Sequence, residues 1–170
     1  MVLTRAFIAL GSNLGDRAQN LREAARRLAE VEGVTCVAAS RIYATPPWGK
    51  YDQPGFANAV IRVETRLEPE ALLAACLGIE ARMGRVRLEK WGPRLIDLDV
   101  LLYGDAVMDT PSLTLPHPAM LERAFVLRPL KDIAPGLMLS DAKTGLTRPI
   151  EDWLSDLDEA DITVMADFTL

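Results

Sequence analysis

The stretch Ala57-Asn58-Ala59-Val60-Ile61-Arg62-Val63-Glu64-Thr65-Arg66-Leu67 alternates with period two, and that alternation decides the fold. Ala59, Ile61, Val63 and Thr65 fall on one face of an extended chain, and Val60, Arg62, Glu64 and Arg66 on the other. An apolar face backed by a mixed one describes a half-buried strand of an antiparallel sheet, because strands buried in parallel sheets read as continuous apolar runs. Directly after it, Pro69 at a first helical position opens a helix. That helix turns Leu72, Ala75, Cys76, Ile79 and Met83 inward and stops at Gly84.

On the N-terminal side, Arg5 to Leu10 is a short, mostly apolar run ending at Gly11, which reads as a buried strand. Gly11-Ser12-Asn13-Leu14-Gly15-Asp16 is turn chemistry. Leu21, Ala24, Ala25, Leu28 and Val31 then recur at helical spacing until Gly33. Val34 to Tyr43 reads as a second strand. The loop from Thr45 to Gly55 holds three prolines and two glycines, which exclude helix and central strand. On the C-terminal side, Ile96 to Tyr103 reads as a strand and Ala119 to Leu130 as a short helix. The order strand, helix, strand, strand, helix, strand predicts a ferredoxin-like α+β unit, an antiparallel sheet with helices packed on it. One domain is expected over residues 1–170, with residues 136–170 an acidic tail holding a strand and a short helix.

The charge confirms that the tail stands apart. Residues 131–170 carry nine acids and three bases, whereas residues 1–130 hold 15 acids and 16 bases. A near-neutral body lacks the broad basic face that nucleic-acid binding requires. No apolar run reaches the roughly 20 residues of a membrane helix. The start, Met1-Val2-Leu3-Thr4-Arg5, lacks the pattern of a signal peptide, and Cys36 and Cys76 sit among apolar residues, as buried thiols of a reducing cytoplasm do. A single histidine and the absence of a C-x-x-C pair leave little to build a zinc site from.

In Ile96-Asp97-Leu98-Asp99-Val100-Leu101-Leu102, the side chains of 96, 98, 100 and 102 are expected to face the core. Asp97 and Asp99 then share the opposite face, roughly 7 Å apart along the strand. Two like charges so placed repel unless neutralised, and magnesium accepts one or two carboxylates while keeping positions for phosphate oxygens. Arg82, Arg85, Arg87, Lys90 and Arg94 precede them within thirteen residues, interrupted by Trp91, Gly92 and Pro93. Arginine forks suit phosphate oxygens, and Trp91 offers a face to a planar base. His117, between Pro116 and Pro118, has a nearly fixed backbone that suits a group whose placement matters. Asn58 could be a turn residue or could read donors and acceptors on a heterocycle. No P-loop and no G-x-G-x-x-G motif is present.

Several blocks keep their order over roughly residues 6–135. They are Ile8-Ala9-Leu10-Gly11-Ser12-Asn13-Leu14-Gly15, Tyr43-Ala44-Thr45-Pro46-Pro47-Trp48-Gly49, Asp52-Gln53-Pro54-Gly55-Phe56-Ala57-Asn58-Ala59, Gly84-Arg85-Val86-Arg87, Trp91-Gly92-Pro93-Arg94-Leu95-Ile96-Asp97-Leu98-Asp99, Leu115-Pro116-His117-Pro118 and Arg123-Ala124-Phe125-Val126-Leu127. In these the sequence resembles the 6-hydroxymethyl-7,8-dihydropterin pyrophosphokinases of folate biosynthesis. The resemblance implies a three-layer α/β/α arrangement, with helices on both faces of the sheet. It implies transfer of the β,γ-pyrophosphate of ATP to the pterin hydroxymethyl oxygen, releasing AMP.

By the same carry-over, Asp97 and Asp99 would bind two Mg²⁺ ions, and Arg85 and Arg94 would contact the moving group. Glu80, Arg87, Trp91, Val100, Thr114, His117 and Arg123 would lie along the ATP site. Thr45, Pro46, Trp48, Phe56, Asn58 and Phe125 would form the pterin pocket, and loops 45–55 and 84–93 would close as lids. A cytoplasmic monomer acting on small molecules is the expectation. A ferredoxin-like sensing module would have lost its metal and phosphate groups first, yet Asp97, Asp99, Arg85 and Arg94 are all present.

Overall fold

The computed structural model describes residues 2–46, 55–84 and 95–170. Five strands form the path of the main sheet: β1 (Thr4–Ser12), β3 (Ile42–Thr45), β4 (Phe56–Thr65), β5 (Asp97–Tyr103) and β10 (Thr163–Ala166). Their order is β10-β3-β4-β1-β5, and β2 (Val34–Ala39) pairs with β4 beside β3. Every pairing is antiparallel, as the alternation in residues 57–67 predicts.

The expected strand over Val34 to Tyr43 is two strands. At the break the Ser40 hydroxyl accepts from the Val60 amide at 2.9 Å and donates to the Arg41 carbonyl at 2.7 Å, so a side chain replaces one rung of the ladder.

Helices cover both faces. On one side lie α1 (Arg17–Ala29) and α2 (Pro69–Arg82). Leu21, Ala24, Leu28, Leu72, Cys76 and Ile79 pack there against Ile8, Leu10, Ala59, Ile61, Val63, Leu98 and Val100. The Asp16 carboxylate caps α1 by accepting the Gln19 amide at 3.2 Å.

On the other side lie α3 (Ala124–Ile133) and α4 (Ile150–Ser155). There Leu127, Leu130, Ile150 and Leu154 pack on Phe7, Val60 and Leu101. The helix expected over Ala119 to Leu130 is a short 3-10 turn at Met120–Glu122 followed by α3, which runs on to Ile133.

A small hairpin forms from β6 (Met108–Asp109) and β7 (Thr114–Leu115), and another from β8 (Met138–Ser140) and β9 (Thr147–Pro149). The tail is therefore more than one strand and a helix. Leu139, Ile150 and Leu154 are built into the second core, and β10 pairs with β3. Among the described residues no helix is long and apolar enough to cross a membrane.

A bulge in β5 alters its alternation. Opposite β1, the partners step from Phe7↔Leu102 to Ile8↔Val100, which leaves Leu101 as the extra residue. Leu102 therefore packs with the second core, contrary to the expectation that it shares the face of Leu98 and Val100. The Leu101 carbonyl accepts the His117 amide at 2.9 Å.

Candidate active site

A pocket opens on the α3 face of the sheet, where four strands end together. Its lining includes Thr45 and Pro46 at the end of β3, Phe56 and Asn58 from β4, Ala9 and Gly11 from β1, and Asp97 and Asp99 from β5. Arg123, Phe125 and Val126, at the start of α3, complete it. Register brings these residues together. Gly11 pairs with Asn58 on one side and Asp97 on the other, Ala9 pairs with Asp99, and Thr45 pairs with Phe56. Period two then turns the side chains of 56 and 58, 9 and 11, and 97 and 99 to the same face.

Each wall has its own chemistry. Asn58 is buried, and its Nδ2 donates to the Thr45 hydroxyl at 2.7 Å. Its Oδ1 lies over β1, where a Cβ added to Gly11 would stand 3.2 Å from it. The carboxamide approaches closely enough there that a side chain at 11 would press on it; the Gly11 backbone is not in the left-handed region. Arg123 directly precedes α3, and its guanidinium lies 5.6 Å from the centre of the Phe125 ring. Asp97 is half-buried and Asp99 exposed, so both carboxylates meet the pocket from one strand face.

Two further residues stand near the Asp97–Asp99 segment, outside the lining. Glu80, buried on α2, accepts the Leu98 amide at 3.3 Å, between the two aspartates. His117 Nδ1 accepts the Ala119 amide at 3.2 Å, which leaves Nε2 as the protonated nitrogen of a neutral ring. Burial pulls the His117 pKa below its usual value, Asp99 opposes that, and Arg123 adds to it.

Thr114 is half-buried on β7, 3.5 Å from Asp109 Oδ1, and lies outside the lining. Val100 is buried in the core under α2, so its side chain packs there instead of lining the pocket. Arg85, Arg87, Trp91, Arg94 and Trp48 lie outside the described residues, as does most of the two expected lid loops. Sequence reasoning missed Ala9, Leu10, Gly11, Ala59 and Val126 as lining residues. The signals for Gly11 were its place at the end of the first strand and in the block Ile8 to Gly15.

The profile of the family described as 7,8-dihydro-6-hydroxymethylpterin-pyrophosphokinase (HPPK) matches residues 7–135. The 2-amino-4-hydroxy-6-hydroxymethyldihydropteridine pyrophosphokinase of Methylorubrum extorquens is 51% identical over 137 residues, covering 81% of this chain and 87% of that protein. The enzyme of the same name from Pseudomonas aeruginosa is 43% identical over 142 residues, covering 84% and 88%. Among solved structures, Plasmodium falciparum HPPK-DHPS with pteroate superimposes with a TM-score of 0.70 at 17% identity. The match covers 91% of this chain but only 42% of that longer one, and it bears on the fold alone.

Proposed function

The chain belongs to the 7,8-dihydro-6-hydroxymethylpterin-pyrophosphokinase family, and from that premise we infer how its pocket works. The enzyme transfers pyrophosphate from ATP to the hydroxymethyl group of 6-hydroxymethyl-7,8-dihydropterin, giving AMP and the pterin diphosphate, in folate biosynthesis. The observation that carries the assignment to this pocket is the register around Gly11. It sets an amide able to read a heterocycle, Asn58, beside carboxylates suited to a cation, Asp97 and Asp99, across one residue without a side chain.

The pterin lies on the floor of Ala9 and Gly11, between the Thr45–Pro46 wall and the Phe125 ring, with Phe56 beside it. Asn58 Oδ1 accepts from the N–H groups of the pterin edge, while its Nδ2 gives one of its two N–H donors to Thr45. ATP approaches along Asp97, Asp99, His117 and Arg123, and Arg85, Arg87, Trp91 and Arg94 meet it from the segment that follows α2. Glu80 and Thr114 stand behind that path, and Val100 supports it from the core. Arg85 and Arg94 contact the moving pyrophosphoryl group. A loose transition state of this kind asks for positioning and charge neutralisation more than for covalent work by the protein.

The donors fit magnesium. Two carboxylates on one strand face supply hard oxygen ligands and leave positions for phosphate oxygens and water, as Mg²⁺ prefers. Asp97 and Asp99 would hold two such ions, whose charge would offset that of the triphosphate. The neutral His117 ring offers an Nε2–H donor to a phosphate oxygen. Cys36 and Cys76 are both free thiols, which suits a reducing cytoplasm. We take the enzyme to act as a monomer on small molecules alone.

The test is incubation with ATP, Mg²⁺ and the hydroxymethyl dihydropterin while AMP is followed. AMP that appears only when the pterin is present supports the reading; ADP in its place, or no pterin-dependent turnover, sinks it.

A further inference from the structure

Behind the pocket, α3 is tied to β3 by a partly buried polar link. Tyr43, 1% exposed, shares its hydroxyl proton between Asp132 Oδ2 at 2.7 Å and Oδ1 at 2.9 Å. Arg41 donates from its backbone amide to Asp132 at 3.2 Å and from its guanidinium to the Tyr43 hydroxyl at 2.9 Å. The guanidiniums of Arg41 and Arg128 lie 5.5 and 5.9 Å from the centre of the Tyr43 ring. Neither Tyr43 nor Asp132 lines the pocket.

Each partner is in step with a pocket wall. Tyr43 precedes Thr45 by two residues on the same face of β3, about 7 Å away along the strand. Asp132 follows Phe125 by seven residues, two helical turns or about 10 Å along α3, on the same side of the helix. Among the described residues, α3 also meets the sheet through apolar side chains, Leu127 and Leu130 against Phe7, Val60 and Leu101. Such contact is strong but non-directional and tolerates a small slide of the helix. A hydrogen bond to a carboxylate is directional, and a hydroxyl buried this deeply is costly to leave without a partner.

We propose that Tyr43 and Asp132 are positioning residues for the pterin gap, their hydrogen bond setting the separation between the Thr45–Pro46 wall on β3 and the Phe125 wall on α3. The proposal deepens the pyrophosphokinase reading and rests on it. The link crosses between the two walls that hold the pterin, so losing it widens or skews that gap while the aspartates on β5 stay in place.

The test measures pterin affinity, by titrating the fluorescence of the dihydropterin in the presence of Mg²⁺ and a non-hydrolysable ATP analogue. Steady-state KM values for both substrates accompany it, for the wild type, Tyr43→Phe, Asp132→Ala and the double variant. Each single variant should weaken pterin binding on the order of tenfold, the loss expected for one hydrogen bond to a charged group. The KM for ATP should stay within about twofold, and the double variant should be no worse than the poorer single one.

Equal weakening of both substrates overturns the proposal, as does a lowered Tm with unchanged pterin binding. Tyr43→Phe keeps the ring and its buried area, so it carries the test if Asp132→Ala does not fold. A wild type that binds pterin but releases no AMP refutes the reaction and leaves the gap test standing. A wild type that binds no pterin refutes both.

Discussion

Asn58 and Asp97 flank Gly11, each its direct register partner, one from β4 and one from β5. The amide proposed to read the heterocycle and the carboxylate proposed for the reacting end therefore lie one strand from Gly11 on either side, and their spacing follows the ladder. Only hydrogen stands between them on the pocket floor.

Gly11→Ala should accordingly weaken pterin binding more than it disturbs the fold. The new Cβ would stand 3.2 Å from Asn58 Oδ1 and 3.8 Å from the Phe56 ring. Alanine costs nothing in backbone terms in an extended segment, so Tm should move by only a few degrees. The KM for pterin should rise about tenfold, equivalent to about 1.4 kcal/mol. Equal kinetics for wild type and variant would show that Asn58 does not need that space.

Removing charge from either aspartate should separate chemistry from folding. Asp97→Asn and Asp99→Asn keep the side-chain shape, so thermal melts should change little. Turnover should fall by roughly 10² to 10³, the scale seen when one group that stabilises a transition state is lost. The Mg²⁺ concentration giving half-maximal rate should rise in whichever variant retains measurable activity. A variant with wild-type turnover removes that aspartate from the metal site.

The two thiols should be silent in the folded protein. Burial pushes the Cys36 thiol up to about 11 and, with Glu80 and Asp99 nearby, the Cys76 thiol up to about 12. Thiolate is the reactive form, so an Ellman reagent at pH 8 should label neither thiol quickly, and both at once in denaturant. The same shifts bear on stability. A thiol protonated in the folded state but ionised in the unfolded one stabilises the fold fully below about pH 9, the ordinary thiol value. That contribution is lost as pH rises toward the folded-state values. Between pH 9 and 10.5, Tm should therefore fall more steeply in the wild type than in Cys76→Ala.

Asp16→Ala removes the side-chain cap of α1. A loss of about 1 kcal/mol is expected, read as a lower denaturation midpoint with unchanged slope. Kinetic constants for both substrates should be unaltered.

The parts of the site that depend on parity were legible in the sequence. Asp97 and Asp99 share a face because nothing interrupts β5 before Val100, and Ala59, Ile61 and Val63 share the other for the same reason in β4. Parity fails one residue later, at the Leu101 bulge, which no glycine or proline announces. The break at Ser40 is equally unmarked, because it depends on a hydroxyl finding the Val60 amide of a different strand. Register itself was out of reach: that Gly11 pairs with both Asn58 and Asp97 depends on strands 47 and 86 residues away in sequence. The tail looked like an acidic appendage because Leu139, Ile150 and Leu154 lie in elements too short to show a period. They belong to the second core.

One consequence of β10 concerns the crowd of molecules around the protein. As the outermost strand it presents Val164 and Met165, both well exposed, along an open rim that another extended chain could join. Exposed Asp161 and Asp167 stand just before and just after it. Two such rims meeting antiparallel would bring these carboxylates together, so repulsion discourages the molecule from zipping onto its own kind.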